Sequence, residues 1–389
     1  MTNLQTALIQ FTPLEPYFFG GESTHGSLGA DANYFSKSNP YPQQTTLLGT
    51  LRNLLRLAGY PFGKHSFSPH NSNLTDFGDL ESISPLFLQK IQEDGTVKFF
   101  LRQALDRQGD GEPFQIMQHE NDEWLLFDGA LKFQSAARWQ GYKPKTALAD
   151  EWISRDGERV APDEIFKTFI RPGIPKQELR KQQESQKREA SAPGLFKQEL
   201  VQLKKGWSFA LLAKFDEDVD LLEKLDGATA QLGGEKSIFQ ISVQLDTRCF
   251  EQIFPPEEMF YSGNQPNLPR LVLVSDAEIP EDAWQYIVAA VTETTDFRHL
   301  QTFFNNDESR SEVKIGKLSK FQPKGKTVLS KDYPLGKSTK FTLLRRGSVL
   351  VCPDAETLDQ LVQELSIEPW CTAGFNHFFK YDQTTSKQS

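Results

Sequence analysis

Between Lys314 and Arg346 the chain carries ten lysines and arginines against one acid, Asp332, a local charge of +9 in a protein of net −9. The remaining residues therefore hold −18. Lys317, Lys320, Lys324, Lys326, Lys337 and Lys340 follow one another at short intervals, with Gly and Pro between them. Such a loop can track a phosphate chain, because each ammonium that neutralises a phosphate releases a counterion. A basic strip on an acidic body suits a protein that holds a polyanion on one face and meets protein on others. A solvated lysine-rich loop, or contact with an acidic neighbour, is the competing reading. Arg345 and Arg346 end the strip where a strand begins.

Smaller groups allow the same chemistry. Gly233 and Gly234, followed by Glu235 and Lys236, sit where a helix is expected to hand over to a strand. Glycines there let the backbone approach a phosphate and offer N–H donors, although a tight turn needing positive φ explains them equally well. Gly374, Phe375 and Asn376 occupy the corresponding place near the C-terminus. The helix that begins near Thr45 has N–H groups free to meet a phosphate. Gly49 and Arg52 follow on it, and Arg52 is either a bidentate phosphate or base ligand or an ordinary surface arginine. Phe169-Ile170-Arg171 and Gly194-Leu195-Phe196-Lys197 flank a polar stretch, about 172–193, with almost no apolar residues. That stretch reads as a mobile loop or the tip of an insertion, not as a core element.

Residues for catalysis are sparse. The six histidines form no HxH, HExxH or HD pair, and Cys249, Cys352 and Cys371 are isolated, so neither a metal nor another cofactor is expected. There is no GxxxxGK[ST] and no GxSxG. His25 lies in the early glycine-rich loop with Tyr34 nearby, and a lone loop histidine is more often a contact residue than a general base.

These groups need a frame. Residues 4–19 read as a strand, and 43–58 as a helix with leucines at 47, 48, 51, 54, 55 and 57 and a stop at Gly59. VKFFLRQAL and EWLLFDGAL are short strand candidates. From Trp207 the order strand (206–215), helix (219–232), glycine loop, strand (237–245) recurs at the end of the chain as strand (345–352), helix (355–365), Ala-Gly-Phe, strand (376–381). RLVLVSDA and EDAWQYIVAAV supply an opening strand and helix for the second half. The fold expected is therefore α+β: two ferredoxin-like (RRM-like) domains with antiparallel sheets, at 1–250 and 251–389. The first carries a large insertion, about 60–205, that holds the polar stretch.

Three unpaired cysteines in 389 residues make a disulfide framework improbable and set the expectation of a reducing, cytoplasmic setting. The N-terminus lacks a basic region ahead of an apolar core, and no apolar run reaches 18 residues, so neither a signal peptide nor a membrane partner is expected.

Read in order, FTPLEPYFFGG, PQQTTLLGTLRNLL, LGGE, LLRRGSVLV and AGFN resemble the third-subunit family of the Cmr complex, in the RAMP superfamily of type III-B CRISPR effectors. The likeness covers roughly 1–60, 195–245 and 310–380. It implies a non-catalytic subunit that caps the 5′ repeat-derived handle of the crRNA. It also implies contact with the large polymerase-like subunit and the first backbone subunit, and with target RNA only indirectly. Gly49-Thr-Leu-Arg52 matches the family's G-x-x-R helix segment, and the resemblance implies that 169–171 and 194–197 are the two arms of the β-hairpin "thumb" of related subunits, with the charged stretch at its tip, the alternative being a surface loop. The family's C-terminal loop holds several glycines where this chain has Gly374 alone. A crRNA-processing ribonuclease of the same superfamily and an RNA-independent protein scaffold are the alternatives.

Overall fold

The computed structural model describes residues 4–24, 34–61, 76–109, 112–117, 138–140, 143, 145–148, 150–173, 196–233, 235–261, 266–297, 300–302, 335–337 and 341–382. The protein is mixed α/β and strand-rich. Its main sheet is built around β1 (Leu4–Pro13), which pairs antiparallel with β13 (Trp207–Asp216) on one side and β15 (Ser237–Leu245) on the other. β14 (Thr229–Leu232) closes the edge beyond β15. Beyond β13 lie β5 (Phe87–Ile91), β6 (Val97–Arg102), β9 (Trp152–Ser154) and β10 (Arg159–Val160), while β4 (Leu80–Ile83) also pairs with β13. Most of β13 is buried on both faces, which is why it reads as a nearly continuous apolar run instead of an alternation.

Helix α1 (Gln44–Ala58) lays Leu47, Leu48, Leu51, Leu54 and Leu55 on the same core as Ala7, Ile9 and Phe11. Burying one such leucine contributes roughly 1.5–3 kcal/mol. Five outweigh the missing side-chain cap at Gln43, worth about 1 kcal/mol. The helix ends at Gly59, whose φ of +90° a side chain would resist.

The expected insertion needs correcting. Much of 60–205 is not appended to the first half: β4, β5, β6, β9 and β10 extend its main sheet. Leu88 and Phe100 pack on the α1 core, and Phe87, Leu101 and Ile153 on the opposite one, so these strands are core on both faces. VKFFLR forms β6 as expected; EWLLFDGAL lies outside the described residues. β7 (Gln115–Met117) and β8 (Arg138–Gln140) form a separate pair.

A second sheet has the order β11-β12-β3-β2, from β11 (Phe166–Gly173), β12 (Phe196–Leu203), β3 (Tyr34–Asn39) and β2 (Phe19–Thr24), and the one-turn helix α2 (Pro162–Ile165) leads into it. In the C-terminal part, β16 (Arg270–Leu273) lies between β22 (Val349–Val351) and β23 (Phe378–Tyr381), with β17 (Ala289–Val291) beside β22. All are antiparallel. Helix α5 (Ala355–Leu365) begins at Asp354, whose carboxylate accepts the Thr357 N–H (2.8 Å), and buries Leu358, Leu361 and Leu365; the short α6 (Glu368–Thr372) follows. β18 (Thr294–Phe297) pairs with β21 (Phe341–Leu344), and β19 (Leu300–Thr302) with β20 (Leu335–Lys337).

Two expected helices are shorter than the sequence pattern suggests. In 219–232 only α3 (Leu221–Lys224) forms; Gly227, at φ +73°, breaks it, and Ala230 and Leu232 alternate into the core as β14. In 281–291 a 3₁₀ turn, Glu281–Tyr286, gives way to β17. A mixed core joins the two halves: Leu8, Leu212 and Phe87 meet Phe254, Val272 and Phe379, and α4 (Phe250–Ile253) is part of it. Among the described residues no helix is long and apolar enough to cross a membrane.

Candidate nucleic-acid interface

β11 and β12 form an antiparallel hairpin from Phe166↔Leu203 to Gly173↔Phe196. These are the two arms expected on either side of the polar stretch; residues 174–195, including Gly194 and Leu195, lie outside the described residues. The root is fixed by paired backbone bonds between Tyr17 and Val201 (2.7 and 2.9 Å) and by burial of Ile165, Val201 and Leu203. Toward its far end Ile170 is 65% exposed, and Arg171 and Lys197 are exposed with it. Lys197 lies opposite Pro172 on one neighbour and beside Phe35 on the other.

The period of two sorts the side chains onto two faces. Ile170, Lys197, Phe35 and Lys37 share one face with Glu199; Lys167, Phe169 and Arg171 share the other. Lys167 Nζ stands 4.9 Å from the Phe169 ring centre, and Lys37 Nζ 6.0 Å from that of Phe35. Exposed cations interleaved with aromatic rings can neutralise phosphates and stack bases. Sequence reading missed Lys37 and Lys167. The alternation Lys167, Phe169, Arg171 was the signal for the latter, being what a strand with one basic-aromatic face looks like.

The Gly233 turn abuts this sheet. It joins β14 to β15, strand to strand, which corrects the expected helix-to-strand handover. At φ +76°, a Cβ on Gly233 would stand 3.1 Å from the Phe18 carbonyl oxygen and 3.2 Å from Phe19 Cδ1, so the glycine allows close packing against the root of β2. Lys236 is exposed at φ +59°, and its N–H donates to the Gly233 carbonyl (3.2 Å). Gly234 lies outside the described residues.

On α1, Gly49 is exposed with open space above it, and Thr45 is half-buried. Arg52 is also half-buried, its guanidinium 5.8 Å from the Phe77 ring centre. Burial lowers its pKa and the nearby Asp76 carboxylate opposes that, so the arginine is partly engaged by its own chain.

Four expected ligands are interior residues. Arg346 is 1% exposed: Asp276 Oδ1 accepts its backbone N–H (3.0 Å) and Nε–H (3.4 Å), the Leu86 carbonyl accepts from Nη1 (3.2 Å), and the guanidinium lies 4.6 Å from the Tyr41 ring centre. It ties the halves together and has no reach to a ligand. Arg345 beside it is half-buried, 3.7 Å from Glu293. Phe375 packs on Trp370 and Phe297. Asn376, at φ +54°, accepts the Glu278 N–H (2.9 Å) and donates to the carbonyls of Glu278 and Leu365. Gly374 is held against Gln44 and Ser84. The C-terminal glycine loop is thus a joint between halves, which corrects its reading as a phosphate loop.

Lys317, Lys320, Lys324 and Lys326 lie outside the described residues, in the segment that joins β19 to β20. His25 is also outside them, and Tyr34 begins β3. Among the described residues no three His, Cys, Asp or Glu side chains gather as a metal site would require.

Among solved structures, the chain is similar to a subunit of a type III-B Cmr-beta assembly seen by cryo-EM bound to cognate target RNA (TM-score 0.46, 13% identity, 96% of both chains covered). It is also similar to a chain of the Csm3–Csm4 subcomplex of a type III-A CRISPR-Cas interference complex (TM-score 0.32, 12% identity, 89% of this chain and 92% of the other). No curated protein matches the sequence. The model of the CRISPR-associated protein family Cas_Cmr3 matches residues 9–380, nearly the whole length, and the chain belongs to that family.

Proposed function

We propose that this chain is a crRNA-binding subunit of a type III-B CRISPR interference complex. In this reading it caps the 5′ repeat-derived handle, bridges the large polymerase-like subunit to the backbone and performs no catalysis itself. The observation that carries it is the β11/β12 ribbon, where Lys37, Lys167, Arg171 and Lys197 stand among Phe35, Phe169 and Ile170 on a sheet with a buried root and an exposed far end. Membership of a CRISPR-associated family supports guide RNA as the polyanion. Affinity comes from phosphate contacts, and selection from unstacked bases.

The halves are read as ferredoxin-like. β1 lies between β13 and β15 with β4 beside β13, and β16 lies between β22 and β23 with β17 beside β22, which supports one strand order used twice. The complex works in the cytoplasm, where its guide is made.

The test is to co-express the chain with its genomic neighbours, purify it by a tag and sequence the RNA it carries. Short RNAs with one fixed repeat-derived 5′ end, lost on Arg171→Glu with Lys197→Glu, are expected. An assembly with no RNA, or RNA recovery indifferent to the ribbon, overturns the reading.

A further inference from the structure

The pole of the main sheet where α1 ends combines exposed leucines with uncompensated carboxylates. Leu57 is 67% and Leu222 50% exposed. Short contacts make them neighbours. The Asp220 N–H donates to Tyr60 Oη (3.0 Å), which brings α3 and Leu222 to the end of α1 and Leu57. The Asp79 N–H donates to the Pro61 carbonyl (3.2 Å), and the Asp216 N–H to that of Asp79 (3.0 Å).

The rim is acidic. Asp79, Asp216, Glu217, Asp218 and Asp220 form no salt bridge among the described residues, and Lys224 is already bonded to Glu223. Burial raises the Asp79 carboxyl above its usual range, and the charges of Asp216 and Asp218 raise it further. Like charges this close cost the free chain stability, and arriving cations relieve that cost. A polyanion would be repelled, which argues against RNA here. Clustered exposed apolar side chains with a rim of one charge sign mark a protein contact.

We propose that this pole docks a segment of another subunit that presents apolar side chains flanked by Lys or Arg, with Leu57 and Leu222 as anchors. The inference rests on the chain working inside a multi-subunit complex, and its partner is a separate matter from the guide RNA.

The test uses full-length chain co-expressed with the remaining subunits, with p-benzoylphenylalanine replacing Leu57 or Leu222 in turn. After irradiation of the assembled complex, both positions are expected to crosslink to one Lys/Arg-rich peptide of a single neighbouring subunit. Glu217→Lys with Asp218→Lys is expected to lower that yield about tenfold while the guide RNA recovered stays constant. Crosslinks to RNA, to residues 314–346 of this same chain or to nothing would overturn the proposal, as would a yield indifferent to charge reversal. Absence of guide RNA from a complex that still crosslinks would instead overturn the function proposed above.

Discussion

The side-chain amide of Gln44 donates to the carbonyl of Gly374 at 2.9 Å, and to that of Ser84 at the same distance, joining the first turn of α1 to the loop before the last strand. Gly374 sits at φ +81°, and a Cβ there would fall 2.0 Å from Gln44 Nε2 and 2.7 Å from the Ser84 carbonyl oxygen. Gly374→Ala therefore combines a left-handed backbone penalty of about 1–2 kcal/mol with loss of buried hydrogen bonds worth about 1–3 kcal/mol. We expect a two-state unfolding free energy lowered by at least about 2 kcal/mol in urea titration. A loss below about 0.5 kcal/mol would mean the joint rearranges freely.

A second joint is ionic. Arg270 Nη1 and Asp106 Oδ2 meet at 2.6 Å with both side chains fully buried, and Tyr261 Oη donates to the same oxygen (2.7 Å). Removing one partner strands a buried charge, at about 3–5 kcal/mol, whereas replacing both with apolar groups is often neutral. Arg270→Met alone is expected to unfold much more readily than Arg270→Met with Asp106→Leu. Additive losses in a double-mutant cycle, the double variant losing the sum of the two single variants, would show that the pair does not couple.

Acid sensitivity should trace in part to His377. Its Nε2–H donates to the Cys371 carbonyl (3.1 Å) and its ring packs 6.4 Å from that of Phe250. Burial holds its pKa below the usual histidine range. The unfolded chain, with a pKa of about 6.5, takes up a proton that the folded chain resists. Stability therefore falls as pH drops below about 6.5 toward the lowered folded value. Asp246, held low by Arg248, loses its contribution only below the unfolded aspartate value of about 3.9, outside that window. The urea midpoint should fall between pH 7.5 and 5.5, and His377→Gln should flatten that fall; an unchanged slope would clear the histidine.

What the sequence disclosed depended on pattern. The α1 leucines and Gly59 announce a helix with its stop, and the two hairpin arms stand out because apolar and basic residues flank an almost wholly polar stretch. The α3 region misleads because Leu221 and Leu225 keep helical spacing while Gly227, two residues on, breaks it. Arg346 and Asn376 mislead for another reason. Polar residue types read as surface, and nothing local distinguishes an arginine that will be enclosed by Asp276, Tyr41 and Leu86 from one that stays free. Those partners lie 70 to 305 positions away, so only the folded topology assigns them.

That distinction separates two classes of arginine experimentally. Arg171 and Lys197 are exposed, so their replacement should leave thermal stability nearly unchanged, within about 0.5 kcal/mol. In the reconstituted complex, each phosphate contact removed should reduce the slope of log affinity against log salt by about 0.7, the value for single strands. Phe169→Ala should weaken binding by about 1–3 kcal/mol with the slope intact, because a lost stack releases no counterion. Arg346→Ala should do the reverse, lowering stability by about 3–5 kcal/mol as Asp276 is left buried without its partner. Filter binding of the guide RNA across a KCl series, beside urea titrations of each variant, reads both. A slope unchanged in Arg171→Glu with Lys197→Glu would take the ribbon out of the RNA interface.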